Sequence, residues 1–584
     1  MNTPILNRIE QPADLKQLSL AELTDLAAEL RQVLLNKVSH TGGHVGPNLG
    51  VVELTIAFHT VFNSPIDKVV WDVSHQSYTH KILTGRKQAW LDPQHYDDVS
   101  GYTAPEESPH DYFNIGHTST SIALATGMAV ARDLQGKSGN VMAVIGDGSL
   151  SGGLALEGLN TAATLNSNLI ILVNDNGMSI AEDHGGLYGN LAELRQTNGQ
   201  STNNLFKAMG LDYRYVADGN DLQTMLDTFK AVKDIDHPIV LHVHTEKGHG
   251  YQPAITNKEA FHWHVPFDLK TGEALHPATG ESYNDVIHAE LEHELTDEKT
   301  PITAITAAIP GAYDLKRFGR KHPDRYFDVG IAEQESITFA AGQAQQWLRP
   351  IVFHSGTFLQ RAYDQLSHDL GINRLPVTIM VKGGQISAGD PTHQGVFDVA
   401  MLSNIPNLTL LAPTTKQELT AMMHWALHQT NGPVAIRVPG NDVQSAPLAA
   451  DFDAHKMRTV HAGHQVAVLG VGSLLPLAQA AQKQLATHGV DATVIDPRDI
   501  SDPDGATLDA LLADHQLVVT LEEASLSGGF GEKVSRHYGN TAMRVLNLGA
   551  AKRFNDRETT AELLHEFKLT PDQVVKTVTD ALAN

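Results

Sequence analysis

The sequence predicts an α/β protein of three consecutive α/β domains with mostly parallel sheets, and three observations carry that expectation. The chain has 584 residues, 41% of them hydrophobic, with no low-complexity tract, which is enough for several cores and about three to four domains. Short apolar runs with strand character alternate with longer stretches of helical periodicity. Such alternation builds parallel strands covered by helices on both faces. The rhythm lapses at two polar stretches rich in Pro, Gly or acidic residues, where one domain should hand over to the next.

In the first domain, VVELTIAFHTVF reads as helix, VVWDV as strand, TSIALATGMAVARDL as helix, VMAVIGDG as strand, LALEGLNTAATL as helix and LIILVNDN as strand. HGGLYGNLAELRQTNGQSTNN, residues 184–204, is rich in Gly and Asn and is expected to be a mobile surface loop. IVLHVHTEKGHGY resumes with a strand and a turn. Residues 265–300 read as a linker. Beyond it, RYFDVG, PIVFHS, VTIMVKG and LTLLAPT are the expected strands, with AEQESITFAAGQAQQ and RAYDQLSHDL as helices. After NDVQSAPLAADFDA, a third set of strands follows: QVAVLGVG, ATVIDPR, LVVTLEE and RVLNLG. The expected domains are 1–279, 280–448 and 449–584. No short repeat period is present.

Composition excludes several functions. With 42 basic against 67 acidic residues the net charge is −25, which repels nucleic acid and acidic membranes, and no local basic patch offsets it. The absence of cysteine removes disulfides, thiolate metal sites and cysteine nucleophiles. The start, MNTPILNRIEQPADLKQ, carries no basic-then-apolar signal, and no apolar run is long enough to span a bilayer, so a cytoplasmic location is expected. The 31 histidines are scattered, with no HExxH motif, and no dedicated histidine metal site is expected.

One stretch carries chemistry. In GDGSLSGGLALEGLNTAATLNSNLIILVNDN, Asp147 follows one predicted strand and Asn176 ends the next, one strand–helix–strand crossover later. Ligands of parallel sheets gather beyond the carboxyl ends of the strands. The two side chains can therefore converge on one ion, and with a backbone carbonyl just beyond, at Met178, they leave about three positions of an octahedral Mg²⁺ for phosphate oxygens and water. Gly146 and Gly148 let the backbone approach phosphates closely. The plain structural alternative is an acidic turn followed by an unrelated asparagine. A nicotinamide dehydrogenase is disfavoured because no GxGxxG opens a helix ahead of an acidic ribose ligand.

GDG followed at this distance by NDN resembles the signature of the transketolase-like thiamine-diphosphate enzymes. TGGHVGPNLG, WDVSHQSYTHKILTG, NIGHTSTSIALATGMA, KGHGYQP, DRYFDVGIAEQESITFAAG, TFLQRAYDQ and THQGVFD then resemble, in order, the 1-deoxy-D-xylulose-5-phosphate synthase family. The resemblance covers most of the chain. It implies a transketolase-like fold and thiamine diphosphate with Mg²⁺ as cofactors. It also implies a homodimer with the cofactor between the first and second domains, and small-molecule substrates, pyruvate and an aldose phosphate.

The resemblance also implies roles for single residues. Glu333 would hydrogen-bond the cofactor's aminopyrimidine and Phe358 would stack on it. His75, Gly116, His117, Thr118, Gly148, Ser149, Asn176 and Tyr251 would contact the cofactor; independently, GHTST reads as a small-residue turn suited to diphosphate. His44, His262 and His393 match the family's active-site histidines, a residue type that titrates near neutrality. The implied reaction joins pyruvate to glyceraldehyde 3-phosphate with loss of CO₂. Arg361 and Arg437 fit family positions for the substrate phosphate.

Departures cluster on the acceptor side. Lys382, a third residue for the substrate phosphate, stands where the family has an arginine, and so offers it a point charge in place of a bidentate fork. Gly389 replaces an aspartate four residues before the histidine, with Asp390 one position later, and Ser355 replaces a tyrosine. These differences keep open a related enzyme with another aldehyde or ketose acceptor, including transketolase-like transfer. A catalytically silent paralogue is opposed by the joint presence of Asp147, Asn176 and Glu333.

Overall fold

The structure, a computed structural model, describes residues 3–277, 279–448 and 452–583. The chain divides into two compact units, Met1–Ala278 with Gly330–Ala332, and Thr279–Val329 with Glu333–Asn584. The expected domain limits at 1, 449 and 584 fall on residues outside the described ones.

The first unit is built on a five-stranded parallel sheet of β1 (Lys68–Trp71), β2 (Val141–Gly146), β3 (Leu169–Asp175), β4 (Asp212–Val216) and β5 (Pro238–His244), in the order β1-β2-β3-β5-β4. The central strands β2 and β3 are buried on both faces because both are covered. Met142 and Val144 of β2 join Ile170 and Leu172 of β3 in one core layer, while Val141, Ala143 and Ile145 join Leu169, Ile171 and Val173 in the opposite one. The expected helices stand at Val52–Val61, Ser121–Leu134 and Gly153–Ala162.

The expectation of a loop over 184–204 is corrected. Gly186–Gln196 is helical and buries Leu191 and Leu194, so spacing on one face outweighs the local Gly and Asn content. The stretch read as a linker is corrected too. Tyr283–Thr296 is a helix, started by Ser282, which accepts the Asp285 N–H while the Asp285 carboxylate accepts the Ser282 N–H, and it buries Val286, Ile287 and Leu291.

The second unit holds two sheets. The first is parallel throughout, with β6 (Ile302–Thr306), β7 (Tyr326–Asp328), β8 (Arg349–Ser355), β9 (Thr378–Lys382), β10 (Thr409–Leu411) and β11 (Val434–Arg437) in the order β10-β11-β9-β8-β6-β7. The second contains β12 (Arg458–His461), β13 (Gln465–Gly470), β14 (Thr493–Asp496), β15 (His515–Ser525) and β16 (Arg544–Ala550), in the order β12-β14-β13-β15-β16, with only β12 antiparallel. One core is shared by both sheets: Ile379 and Val381 of β9 lie in the same cluster as Ala467 and Leu469 of β13. The segment expected as a helix at RAYDQLSHDL is helical but irregular, a short α turn Tyr363–Gln365 running into the π-helical stretch Leu366–Gly371.

No helix of the described residues is long and apolar enough to cross a membrane.

Candidate cofactor and metal site

In the first unit, β2 and β3 are hydrogen-bonded neighbours with Gly146 opposite Asn174, which sets Asp147 beside the turn that leaves β3. Asp147 is buried. Its Oδ2 accepts the backbone N–H groups of Asn176 at 2.9 Å, Gly177 at 2.7 Å and Met178 at 3.3 Å, and its Oδ1 that of Gly148 at 3.0 Å. The turn is therefore wrapped around the carboxylate, and Asp147, Asn176 and Met178 are brought together.

The Oδ1 of Asn176 is buried and finds no partner among the described residues. An amide oxygen rarely stays buried and unpaired without reason. Burial, with the charges of Asp183 and Asp175 nearby, pushes Asp147 well above the ordinary carboxylate range. Orphaned oxygen and crowded carboxylates form an oxygen donor set short of positive charge, which fits a hard divalent cation such as Mg²⁺.

A buried network supports the turn. Asp175 accepts the Gly177 N–H through Oδ1 at 3.1 Å; through Oδ2 it is paired with Arg195 and bonded to His242 Nε2 at 2.6 Å, and His242 Nδ1 meets the Tyr213 hydroxyl at 2.8 Å. Gly148 is required for a close approach, since a Cβ there would lie 2.7 Å from the side chain of Ser179. Ser149 offers its carbonyl to the Ser119 hydroxyl at 2.7 Å, which ties the GDG turn to the loop carrying Gly116, His117 and Thr118.

The same unit gathers three histidines. Ring centroids of His44 and His75 are 5.0 Å apart, those of His44 and His262 5.5 Å, and those of His75 and His262 5.1 Å. Burial, with Lys247, His75 and His44 alongside, holds His262 well below the usual imidazole range, so its ring is neutral. Its Nδ1 is shut off from solvent and finds no partner among the described residues. The histidine-bearing segment 260–264 is zipped to the TGGHVG loop, with Gly43 and His264 exchanging N–H···O bonds of 2.9 Å in both directions. Tyr251 stands apart in character: its hydroxyl donates to the Leu269 carbonyl at 3.0 Å, and its ring packs against Phe261 and Phe267.

In the second unit, Glu333 opens the helix Glu333–Gln345 and is buried. Burial raises its carboxyl above the usual range, against the pull of the Arg361 guanidinium 3.5 Å away. Phe358, just beyond β8, meets the His393 ring edge-on, with centroids 5.7 Å apart. His393 Nδ1 is 2.8 Å from the Thr392 hydroxyl and 3.8 Å from Asp390. Asp390, one position from the expected aspartate, thus still reaches the histidine.

The family profile described as "1-deoxy-D-xylulose-5-phosphate synthase" matches residues 6–203 and 196–245, "Transketolase, pyrimidine binding domain" matches 280–445, and "Transketolase, C-terminal domain" matches 455–574. A 1-deoxy-D-xylulose-5-phosphate synthase of Pelotomaculum thermopropionicum is 39% identical, with 99% of this chain and 97% of that protein covered. The chain belongs to the 1-deoxy-D-xylulose-5-phosphate synthase family. Another member, 1-deoxy-D-xylulose-5-phosphate synthase 1 of Geobacter sulfurreducens, is 40% identical over 94% of this chain and 93% of its own length. Among solved structures, "Split gene transketolase, inactive beta4 tetramer" is 26% identical, covers 52% of this chain and 99% of its own, and gives a TM-score of 0.47.

Enzymes of this family use thiamine diphosphate with a divalent cation, and the donor set around Asp147 is compatible with both. Two of the residues expected to grip the substrate phosphate are engaged elsewhere. Arg437 is 4% exposed; its Nε donates to Asp398 at 2.8 Å, and its Nη2 donates to the carbonyls of Gly384 and, at 2.8 Å, Glu523. A Cβ on Gly384 would overlap the Asp398 carboxylate at 2.0 Å, so the glycine makes room for this buried pair. The Lys382 ammonium donates to the Asn284 side chain and, at 2.9 Å, to the Ala312 carbonyl, and lies 4.6 Å from the Tyr313 ring centroid. Both cations are thus paired within the fold, Arg437 buried and Lys382 half-buried. Lys382 and Ser355, two of the departures, are register partners at the carboxyl ends of β9 and β8.

Sequence reasoning missed three positioning residues. Asn48 donates to the carbonyls of His44 at 2.8 Å and His75 at 2.7 Å and accepts the Tyr78 N–H at 2.9 Å, latching two histidine loops together. Asp72, beyond β1, accepts the N–H groups of Ser119 at 2.7 Å and Ser121 at 2.9 Å and so fixes the GHTST turn. Lys247, 2% exposed, donates to the Ser179 carbonyl at 2.6 Å; burial lowers it to about 8, against the attraction of Asp147 and Asp183. Each sat inside a quoted motif, but nothing in spacing separated it from its neighbours.

Proposed function

We propose that this chain joins pyruvate to glyceraldehyde 3-phosphate with loss of CO₂, giving 1-deoxy-D-xylulose 5-phosphate, with thiamine diphosphate and Mg²⁺ bound. The observation that carries this reading is the turn wrapped around Asp147 with the unpaired Asn176 oxygen beside it. When bound, thiamine diphosphate supplies a nucleophilic ring carbon and an electron sink for decarboxylation.

The chain's own residues do the rest. Asp147, Asn176 and the Met178 carbonyl hold Mg²⁺; Gly116, His117, Thr118, Gly148, Ser149 and His75 receive the diphosphate. Glu333, which burial keeps inclined to hold its proton, offers that proton to the aminopyrimidine, and Phe358 gives it a stacking face. Neutral His262 acts as a proton acceptor, with His44 beside it, and His393, next to Asp390, serves the acceptor aldehyde. Arg361 binds the substrate phosphate. Tyr251 serves mainly by packing. Residues 1–279 act as the diphosphate and Mg²⁺ block, 280–448 as the pyrimidine block and 449–584 as the C-terminal block, in a cytoplasmic homodimer.

The test is CO₂ release from pyruvate by the holoenzyme, with and without a panel of aldehydes. Glyceraldehyde 3-phosphate is expected to accelerate release most; acceleration by another aldehyde alone, or by none, would overturn the acceptor assignment.

A further inference from the structure

The helices Tyr283–Thr296 and Lys416–His428 of the second unit share a core through Ile287, Leu291, Leu419, Met422 and Met423. Residues four apart on a helix share a face, and His424 and His428 are so placed. Both stand against Glu294, whose side chain is fully buried while the two imidazoles are about half exposed. Glu294 Oε1 lies 2.7 Å from His424 Nδ1, and Oε2 lies 3.1 Å from His428 Nε2. Among the described residues, no other group of three or more His, Asp or Glu side chains gathers ligand atoms this closely, all within 4.8 Å.

The two rings lie 4.3 Å apart, centroid to centroid, with one carboxylate facing both. A second, independent observation points the same way. Glu290, one turn back on the same helix, is 4% exposed, and its Oε1 is buried without a partner among the described residues. Its carboxyl lies within electrostatic reach of Glu294, His293 and His424. Thr300 donates to Glu294 Oε2 at 2.5 Å, the kind of outer hydrogen bond that orients a ligating carboxylate.

We propose that Glu294, His424 and His428 form a binding site for a divalent transition cation of the zinc class, which clips the two helices together. Two imidazoles and one carboxylate suit Zn²⁺, Ni²⁺ or Co²⁺ and disfavour Mg²⁺. A tetrahedral ion with bonds of about 2 Å holds its ligand atoms roughly 3.3 Å apart, within reach of small side-chain rotations from the separations seen here. Solvent-facing rings give the ion a way in, and water completes the coordination. None of these residues has a role in the proposed reaction.

The probe is Co²⁺ added to the holoenzyme already loaded with thiamine diphosphate and Mg²⁺, read by bound-metal stoichiometry and visible absorption. The native chain is expected to take up one more Co²⁺ per chain than H424Q/H428Q, with the intense bands of a tetrahedral ion and a higher melting temperature. The variant should keep the native turnover and fold, since both rings are half exposed. Equal stoichiometry and spectra in the two proteins would overturn the site. The single variant H428Q, weakened for Co²⁺ by 10-fold or more, is the second check; unchanged affinity there would also overturn it.

Discussion

The carboxylate of Asp147 accepts the backbone N–H of Gly177 at 2.7 Å, with those of Asn176 and Met178 alongside. A turn from β3 is thereby held at the end of β2, and the neighbouring Asn176 oxygen is left buried and unpaired. Backbone donors satisfy the carboxylate, while the amide oxygen beside it has none, an arrangement that fits a cation.

Asp147→Asn separates function from stability. The amide keeps an acceptor for the Gly177 donor and removes repulsion with Asp183 and Asp175. Without metal, calorimetric melting is expected at or above the native temperature, while turnover falls by roughly 100-fold or more, about 3 kcal/mol. A melting point several degrees lower with turnover retained would contradict this.

Asn48→Ala removes the latch between the His44 and His75 loops. Small misplacements of catalytic groups cost up to about 100-fold in rate. Steady-state kinetics should show kcat reduced by roughly that factor while thiamine-diphosphate affinity stays within about 3-fold.

Arg437→Ala strips the buried Asp398 of its cation, and chemical denaturation should show a loss of about 3–5 kcal/mol. Lys382→Met should instead leave KM for the phosphorylated acceptor within about 3-fold, under 1 kcal/mol, because its ammonium is already committed to Asn284 and Ala312. Arg361→Ala is the variant in which that KM should rise.

How far the sequence foretold this arrangement differs from element to element. The strand ends carrying Asp147 and Asn176 were legible because β2 and β3 are uniformly apolar and closed by Gly and Asn. The helices at Gly186–Gln196 and Tyr283–Thr296 were not, because the first buries only two residues and the second buries His288, Glu290 and Glu294 among its apolar ones, so that tertiary packing decides. The latch of Asn48 and the engagement of Arg437 depend on which carbonyls and carboxylates lie opposite in space, far apart in sequence. His424 and His428 could have been found as an i,i+4 pair, but Glu294 lies on another helix in a stretch read as a linker.

Stability should also carry a pH signature from Glu522, which is 1% exposed. Burial raises its carboxyl to about 7 from an ordinary 4.5, although the N–H groups of Gly531 and Phe530 pull it down. Between those values the unfolded chain binds fewer protons than the folded one, so this contribution to stability is lost as pH rises from about 4.5 through 7. Denaturation of native protein and Glu522→Gln across this range should show the native advantage shrinking with pH. A constant or growing advantage would contradict the assignment.

The most direct measurement is calorimetric titration of thiamine diphosphate into the native chain and into Asn176→Ala, each with and without Mg²⁺. Native binding should require Mg²⁺, and the variant should lose roughly 10- to 100-fold in Mg²⁺-dependent affinity, about 1.4–2.7 kcal/mol, with no change in the melting temperature of the metal-free protein. Binding that ignores Mg²⁺, or equal affinities in the two proteins, would contradict the site built around Asp147 and Asn176.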